Sequence, residues 1–154
     1  MNIIKLIEPK DGSISPKLKG IYSKFNELID ELNSKEFPDN TINSINLDIE
    51  ELNSASPNMK GMRGHLLKKQ TKILRLIEKE HKIVPKNYYR NLSMALGMAT
   101  FGVPFGVAYG IISGNMAMFG IGLPIGMAIG IAIGSSKDKK AFNEERQLEI
   151  DLIK

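Results

Sequence analysis

Along the first part of the chain, apolar positions recur at helical spacing and are cut into blocks by proline. Ser15-Pro16 offers a hydroxyl cap followed by proline at a first helical position. From there Leu18, Ile21, Tyr22, Phe25, Leu28, Ile29 and Leu32 run towards the breaker Pro38, which predicts a helix over about 16–35. Ile42, Ile45, Ile49 and Leu52 predict a second over about 41–53. Ser56-Pro57 repeats the start signal, and Met59, Met62, Leu66, Ile73 and Ile77 form the stripe of a third over about 58–83, ending before Pro85. Three amphipathic helices joined by short loops predict an antiparallel bundle within residues 1–90. Met1 to Glu8, interrupted by Lys5, is too short for a secretory signal and is expected to dock on that bundle.

The pattern then changes. Residues 91–136 contain no charged side chain. Leu92 to Ile112 and Met116 to Gly134 are uncharged runs, separated by the turn Ser113-Gly114-Asn115. About 20 apolar residues, each rising about 1.5 Å, cross the roughly 30 Å hydrocarbon core of a bilayer. The front half is too small to cover such a surface as a soluble partner. The expected fold is therefore all-α: a cytoplasmic amphipathic bundle (1–90), a transmembrane helical hairpin (91–136, spans about 92–112 and 116–134) and a charged cytoplasmic tail helix (137–154). Phe142, Leu148 and Leu152 of the tail are available to pack back on the bundle.

Bulk composition conceals this division. An apolar content of 42%, a charged content of 25% and a mean hydropathy of −0.14 describe an average soluble protein. Yet the net charge of +4 sums a block of −7 (residues 25–56: one Lys, eight acids), a block of +8 (57–90: ten Lys/Arg, two acids) and smaller terms. The opposed blocks favour pairing of neighbouring helices. Around the hairpin, Lys82, Lys86 and Arg90 precede the first span, Lys137, Lys139 and Lys140 follow the second, and the turn has no charge. Positive flanks stay inside, so a multi-pass membrane protein with both termini cytoplasmic is expected. Tyr88 and Tyr89 stand where an aromatic belt would lie, which completes the set of interface anchors.

Ten of the 14 glycines lie in the uncharged stretch. Gly102, Gly106, Gly110 and Gly114 recur every four residues, as do Gly122, Gly126, Gly130 and Gly134. Such spacing opens a groove without side chains, where helix backbones approach closely. A direct repeat underlies it: residues 102–110 and 122–130 share GxPxGxAxG. Pairing about Gly114 sets Gly102 opposite Gly126, Gly106 opposite Gly122 and Pro104 opposite Pro124, predicting paired kinks at mid-membrane. Large and small residues also alternate, a strand signature, but a central proline in each run argues against a β-hairpin. Read as helices, the alternation leaves a second, Pro/Ala-lined groove, which predicts a homo-oligomer.

Without cysteine there is no thiol nucleophile, disulfide or thiolate metal site. His65 stands alone beside Gly64, and Glu78 with His81 makes only half of a di-iron pair, read as a solvated helix end. No catalytic, cofactor or metal constellation is expected, and no enzyme. The basic third helix lacks the interleaved aromatics of a nucleic-acid surface; anionic lipid headgroups are the simpler partner.

The run KIVPKNYYRNL, the two GxPxGxAxG segments and DKKAFNEERQ together resemble a family of small bacterial glycine-zipper membrane-hairpin proteins, over about residues 82–149. That resemblance implies the membrane hairpin, placed in a bacterial inner (cell) membrane, and supplies no activity. Two functions are expected in order: a structural or interaction protein that self-associates through its zippers and presents a charged domain to a cytoplasmic protein; then a pore-forming or permeabilising effector.

Overall fold

The computed structural model describes residues 2–9, 14–57 and 59–150, and it is all-α apart from one minimal pair of strands. The chain divides into two compact units, Met1–Pro85 with Leu148–Lys154, and Lys86–Gln147.

In the first unit α1 spans Pro16–Asn33, α2 Asp39–Ser54 and α3 Met62–His81. Ser15 caps α1 through its side-chain oxygen, which accepts from the Leu18 amide at 3.3 Å. The apolar stripes converge on one core: Phe25, Leu28, Ile29 and Leu32 from α1, Ile45, Ile49 and Leu52 from α2, Leu66, Ile73 and Ile77 from α3. Residues 2–9 add Ile3 and Leu6, both buried, so the opening element packs on the helices as expected. Strand β1 (Val84–Pro85) pairs with β2 (Gln147–Leu148), and Leu148 is wholly buried in this core.

Two boundaries differ from expectation. Helix α3 begins at Met62 and not near residue 58, because Gly61 takes a left-handed conformation (φ +90) that no helix can continue through; Met59 is left exposed. Among the described residues no separate tail helix begins at residue 137. Helix α6 of the second unit carries the chain unbroken through Lys137–Lys140 to Asn143, then a turn with Glu145 at φ 54 leads into β2. Phe142 is exposed instead of packing back, Leu148 alone of the three expected residues is seen in the core, and Leu152 lies outside the described residues.

The second unit is a helical hairpin. Its first arm joins α4 (Tyr88–Gly97), a π-helical turn (Met98–Gly102) and α5 (Val103–Ile112); its second joins a 3-10 segment (Met116–Ile121) to α6 (Gly122–Asn143). Continuous arms of 25 and 28 residues are each long and apolar enough to cross a bilayer.

Candidate functional site: the glycine seam of the hairpin

The two arms meet along a face made almost wholly of glycine. Gly97, Gly102, Gly106 and Gly110 on one side and Gly122, Gly126, Gly130 and Gly134 on the other are buried, and Asp138 and Ala141 are the other buried residues of the two arms. A Cβ added to Gly122 would fall 2.6 Å from the Cα of Gly106, and one on Gly126 would fall 2.6 Å from the Cα of Gly102. On Gly130 it would reach 2.9 Å from Met94 Cα, and on Gly134 2.5 Å from Arg90 Cα. These neighbours are backbone, which cannot step aside, so any side chain here forces the arms apart.

The register expected from symmetry about Gly114 holds in the middle of the hairpin, where Gly102 faces Gly126 and Gly106 faces Gly122. Gly110 meets the side chain of Met116, and Gly106 is also covered by Phe119. Gly114 does not belong to the seam: nothing lies within 4 Å of its added Cβ, and its φ of +66 makes it the turn's left-handed residue. Further from the turn, the contact face steps from Gly102 to Gly97, five residues instead of four. The π-helical turn Met98–Gly102 supplies the extra residue, with the Val103 amide donating to the Met98 carbonyl. Without it, Met98 would occupy the seam. Gly97 was absent from the four-residue glycine pattern because the pattern itself changes phase there.

Both prolines lie at changes of helix type. Pro104 follows the π-turn in the first turn of α5, where its missing donor costs least. Pro124 sits in the first turn of α6, just after the 3-10 segment. The two prolines expected to form a symmetric pair of kinks thus stand beside two unlike helix irregularities, a π-turn and a 3-10 segment. Thr100 also donates its hydroxyl to the Leu96 carbonyl at 2.8 Å, within the same irregular stretch.

At the open end of the hairpin, Asp138 closes the structure. Its carboxylate accepts from the amides of Tyr89 (3.0 Å) and Arg90 (2.9 Å), the exposed donors at the start of α4, and is itself buried. A lone acid between Lys137 and Lys139 was the available signal for it. Lys86, Arg90, Lys137, Lys139 and Lys140 are exposed at this end, and Tyr88 and Tyr89 pack edge to face with centroids 5.3 Å apart. Lys82 belongs to the first unit, as the left-handed residue that ends α3.

The outward surface of the arms is apolar. Phe105, Tyr109 and Ile125 stand about half exposed around a groove of about 350 Å³ that also includes Ile121 and Gly122, and Ile112 near the turn is 84% exposed. Only 22% and 17% of the most apolar windows of the two arms are buried. Pro104, Ala108, Pro124 and Ala128 are exposed as well.

In the first unit the opposed charge blocks meet at a buried lysine. Lys69 Nζ lies 2.8 Å from Asp48 and also pairs with Glu51; Lys72 lies 2.8 Å from Asp48. Burial pushes the Asp48 carboxyl up, but the bonds and charges of Lys69 and Lys72 outweigh it and hold it below its ordinary value. Burial likewise opposes the charge of Lys69, and Asp48 and Glu51 overcome it, raising its pKa. Hydrogen bonding from Lys69 lowers Glu51. His65 is not isolated: its Nε2 lies 3.3 Å from Glu51. His81 packs edge-on to Phe37 and shares the Thr41 hydroxyl with Glu80. Among the described residues no three His, Asp or Glu side chains gather as a metal site.

Comparison with known proteins adds no relative: no family model, no curated protein and no solved structure matches the chain.

Proposed function

We propose that the protein is an integral membrane interaction protein, in which the hairpin is a two-span anchor and the first unit is a charged platform for a cytoplasmic protein. The observation that carries the reading is the inverted distribution of side chains in the hairpin. Glycine fills its interior, while large apolar side chains such as Phe105, Ile112 and Ile133 point outward. Water penalises such a surface at about 25 cal/mol per Å², and a lipid bilayer removes the penalty. The cationic and tyrosine residues at the open end suit the headgroup region on the inner side.

Self-association belongs to the same reading, with its contact surface moved. Because the glycine face is occupied by the hairpin itself, copies meet through the exposed Pro104–Ala108 and Pro124–Ala128 stripes on the outer sides of the two arms, where small residues let backbones approach. Alkaline carbonate extraction tests the anchor: the chain should remain in the membrane pellet, and quantitative release into the supernatant would refute it. Crosslinking in membranes tests the assembly. Ala108→Leu with Ala128→Leu should remove oligomer bands from a protein that still pellets, and unchanged bands would exclude this face.

A further inference from the structure

The opening segment is held in an unusual way, by the side chains of four asparagines. Asn33 of α1 accepts from the Ile3 amide (2.8 Å) and donates to the Ile3 carbonyl (3.0 Å). Seven residues earlier on the same helix, Asn26 does the same for Leu6, at 3.0 and 3.1 Å. From α2, Asn46 accepts from the Ile4 amide (2.9 Å) and donates to the Asn2 carbonyl (3.3 Å). Asn53, again seven residues along, accepts from Ile7 (2.8 Å) and donates to Lys5 (3.2 Å). Each primary amide offers one acceptor and two donors, so it can replace a neighbouring strand for a stretch of main chain.

The spacing is matched on both sides. Seven helical residues rise about 10.5 Å, and three residues of extended chain cover about the same length. Burial in the segment follows this spacing: Ile3 and Leu6 are buried, Ile4 is partly buried against the same core, and Lys5 and Ile7 are exposed. Both helices carry the same motif, NxxIxELNS, at residues 26–34 and 46–54. Its asparagines reach the segment, and its Ile and Leu enter the core (Ile29, Leu32, Ile49, Leu52). The rim is acidic, and Lys5 pairs with Asp30 at 2.8 Å.

We propose that the groove between α1 and α2 is a binding site for an extended peptide of a partner protein, with aliphatic side chains three residues apart and a basic residue between them, and that residues 2–8 are its resident, displaceable ligand. Recognition runs through the ligand's main chain, with two aliphatic pockets and one acidic contact setting the preferred sequence. Nothing in the eight asparagine bonds requires the ligand to belong to the same chain. The site gives the platform of the preceding section its mode of recruitment and rests on that reading for the existence of a partner. It can be measured on detergent-solubilised full-length chain, so it stands or falls separately from carbonate extraction.

The probe is a fluorescent peptide with the sequence of residues 2–8. The full chain carrying Ile3→Ala and Leu6→Ala should bind it saturably, at least about 100-fold more tightly than the wild-type chain, where the tethered segment competes at an effective concentration of the order of millimolar. Methylation of the peptide's Leu6 amide nitrogen, which removes the donor to Asn26, should weaken binding at least tenfold, and Asn26→Ala with Asn53→Ala in the receiving chain should abolish it. Should the double alanine chain lose its helical circular dichroism, Ile7→Pro serves instead: it deletes one amide donor at an exposed position and leaves the core intact. Three outcomes overturn the proposal. One is no saturable binding to a helical variant, and another is equal binding of the methylated peptide. The third is exchange of the segment between tagged full chains with no binding of free peptide, which makes the occupant a second copy.

Discussion

The two units solve the same packing problem with opposite materials. In the first, large side chains interdigitate in the interior and most charges face outward, the buried Asp48–Lys69 pair excepted, so each apolar contact depends on shape and volume. In the second, the interior is backbone against backbone, and the large side chains are outside. Side-chain cores tolerate trimming and rearrangement at graded cost, whereas the seam at Gly122, Gly126, Gly130 and Gly134 has opposing backbone where a side chain would go. The two therefore fail in opposite directions, one by subtraction and the other by addition.

Addition to the seam should do the greatest damage. Gly126→Leu places a side chain against the Gly102 backbone and should abolish the closed hairpin, a loss on the order of 4 kcal/mol or more. Gly120→Leu, with nothing within 4 Å of its added Cβ, should be near neutral. Thermal unfolding in micelles reads both, and equal melting points for the two variants would dissolve the contrast. Subtraction from the first unit comes next: Phe25→Ala, at a fully buried position, should cost about 3–5 kcal/mol. Ile111→Ala on the hairpin's exterior should cost under about 0.5 kcal/mol in detergent. Chemical denaturation of the two variants checks that asymmetry.

Charge sharpens the comparison at a smaller scale. Lys69→Met leaves buried Asp48 with Lys72 alone and should destabilise the first unit by about 2–4 kcal/mol. Asp138→Ala leaves two amides of α4 without their acceptor and should cost the hairpin about 1–3 kcal/mol, visible as faster amide exchange at Tyr89 and Arg90. Dependence on pH at the first unit's lysine cluster is the mildest effect. Asp48 and Glu51 have lowered values, so their contribution is complete above the ordinary carboxylate values of 3.8 and 4.5 and drains away as pH falls below them. Lys69 has a raised value, so its contribution is complete below 10.5 and is lost as pH climbs above that. A melting-temperature profile should show a plateau between these limits, and Lys69→Met should flatten the alkaline edge.

Helical periodicity was enough to locate α1, α2 and both arms, because a burial stripe is a local property of the chain. The start of α3 was misread because Ser56-Pro57 imitates a cap, while the conformation that decides the matter belongs to Gly61. Asp138 and the four asparagines escaped notice for another reason. Their partners are main-chain groups tens of residues away, and nothing in the residue types of those partners advertises a bond. The repeated NxxIxELNS motif was the available clue for the asparagines. Glycine spacing fixed seven seam positions but carried Gly114 along with them and omitted Gly97, since a stripe defined by constant spacing cannot register a change of helix type.

The π-helical turn has a consequence for how this chain can change length. Met98–Gly102 holds one residue more than the seam needs, so the segment behaves as an insertion that the helix has absorbed. Deleting Ala99 would set Gly97 and Gly102 four positions apart and keep both against the opposite arm. Adding or removing a residue between Gly126 and Gly130 would instead rotate one half of the seam out of contact by about 100°. The hairpin thus contains one place where the reading of length is forgiving, beside many where it is strict.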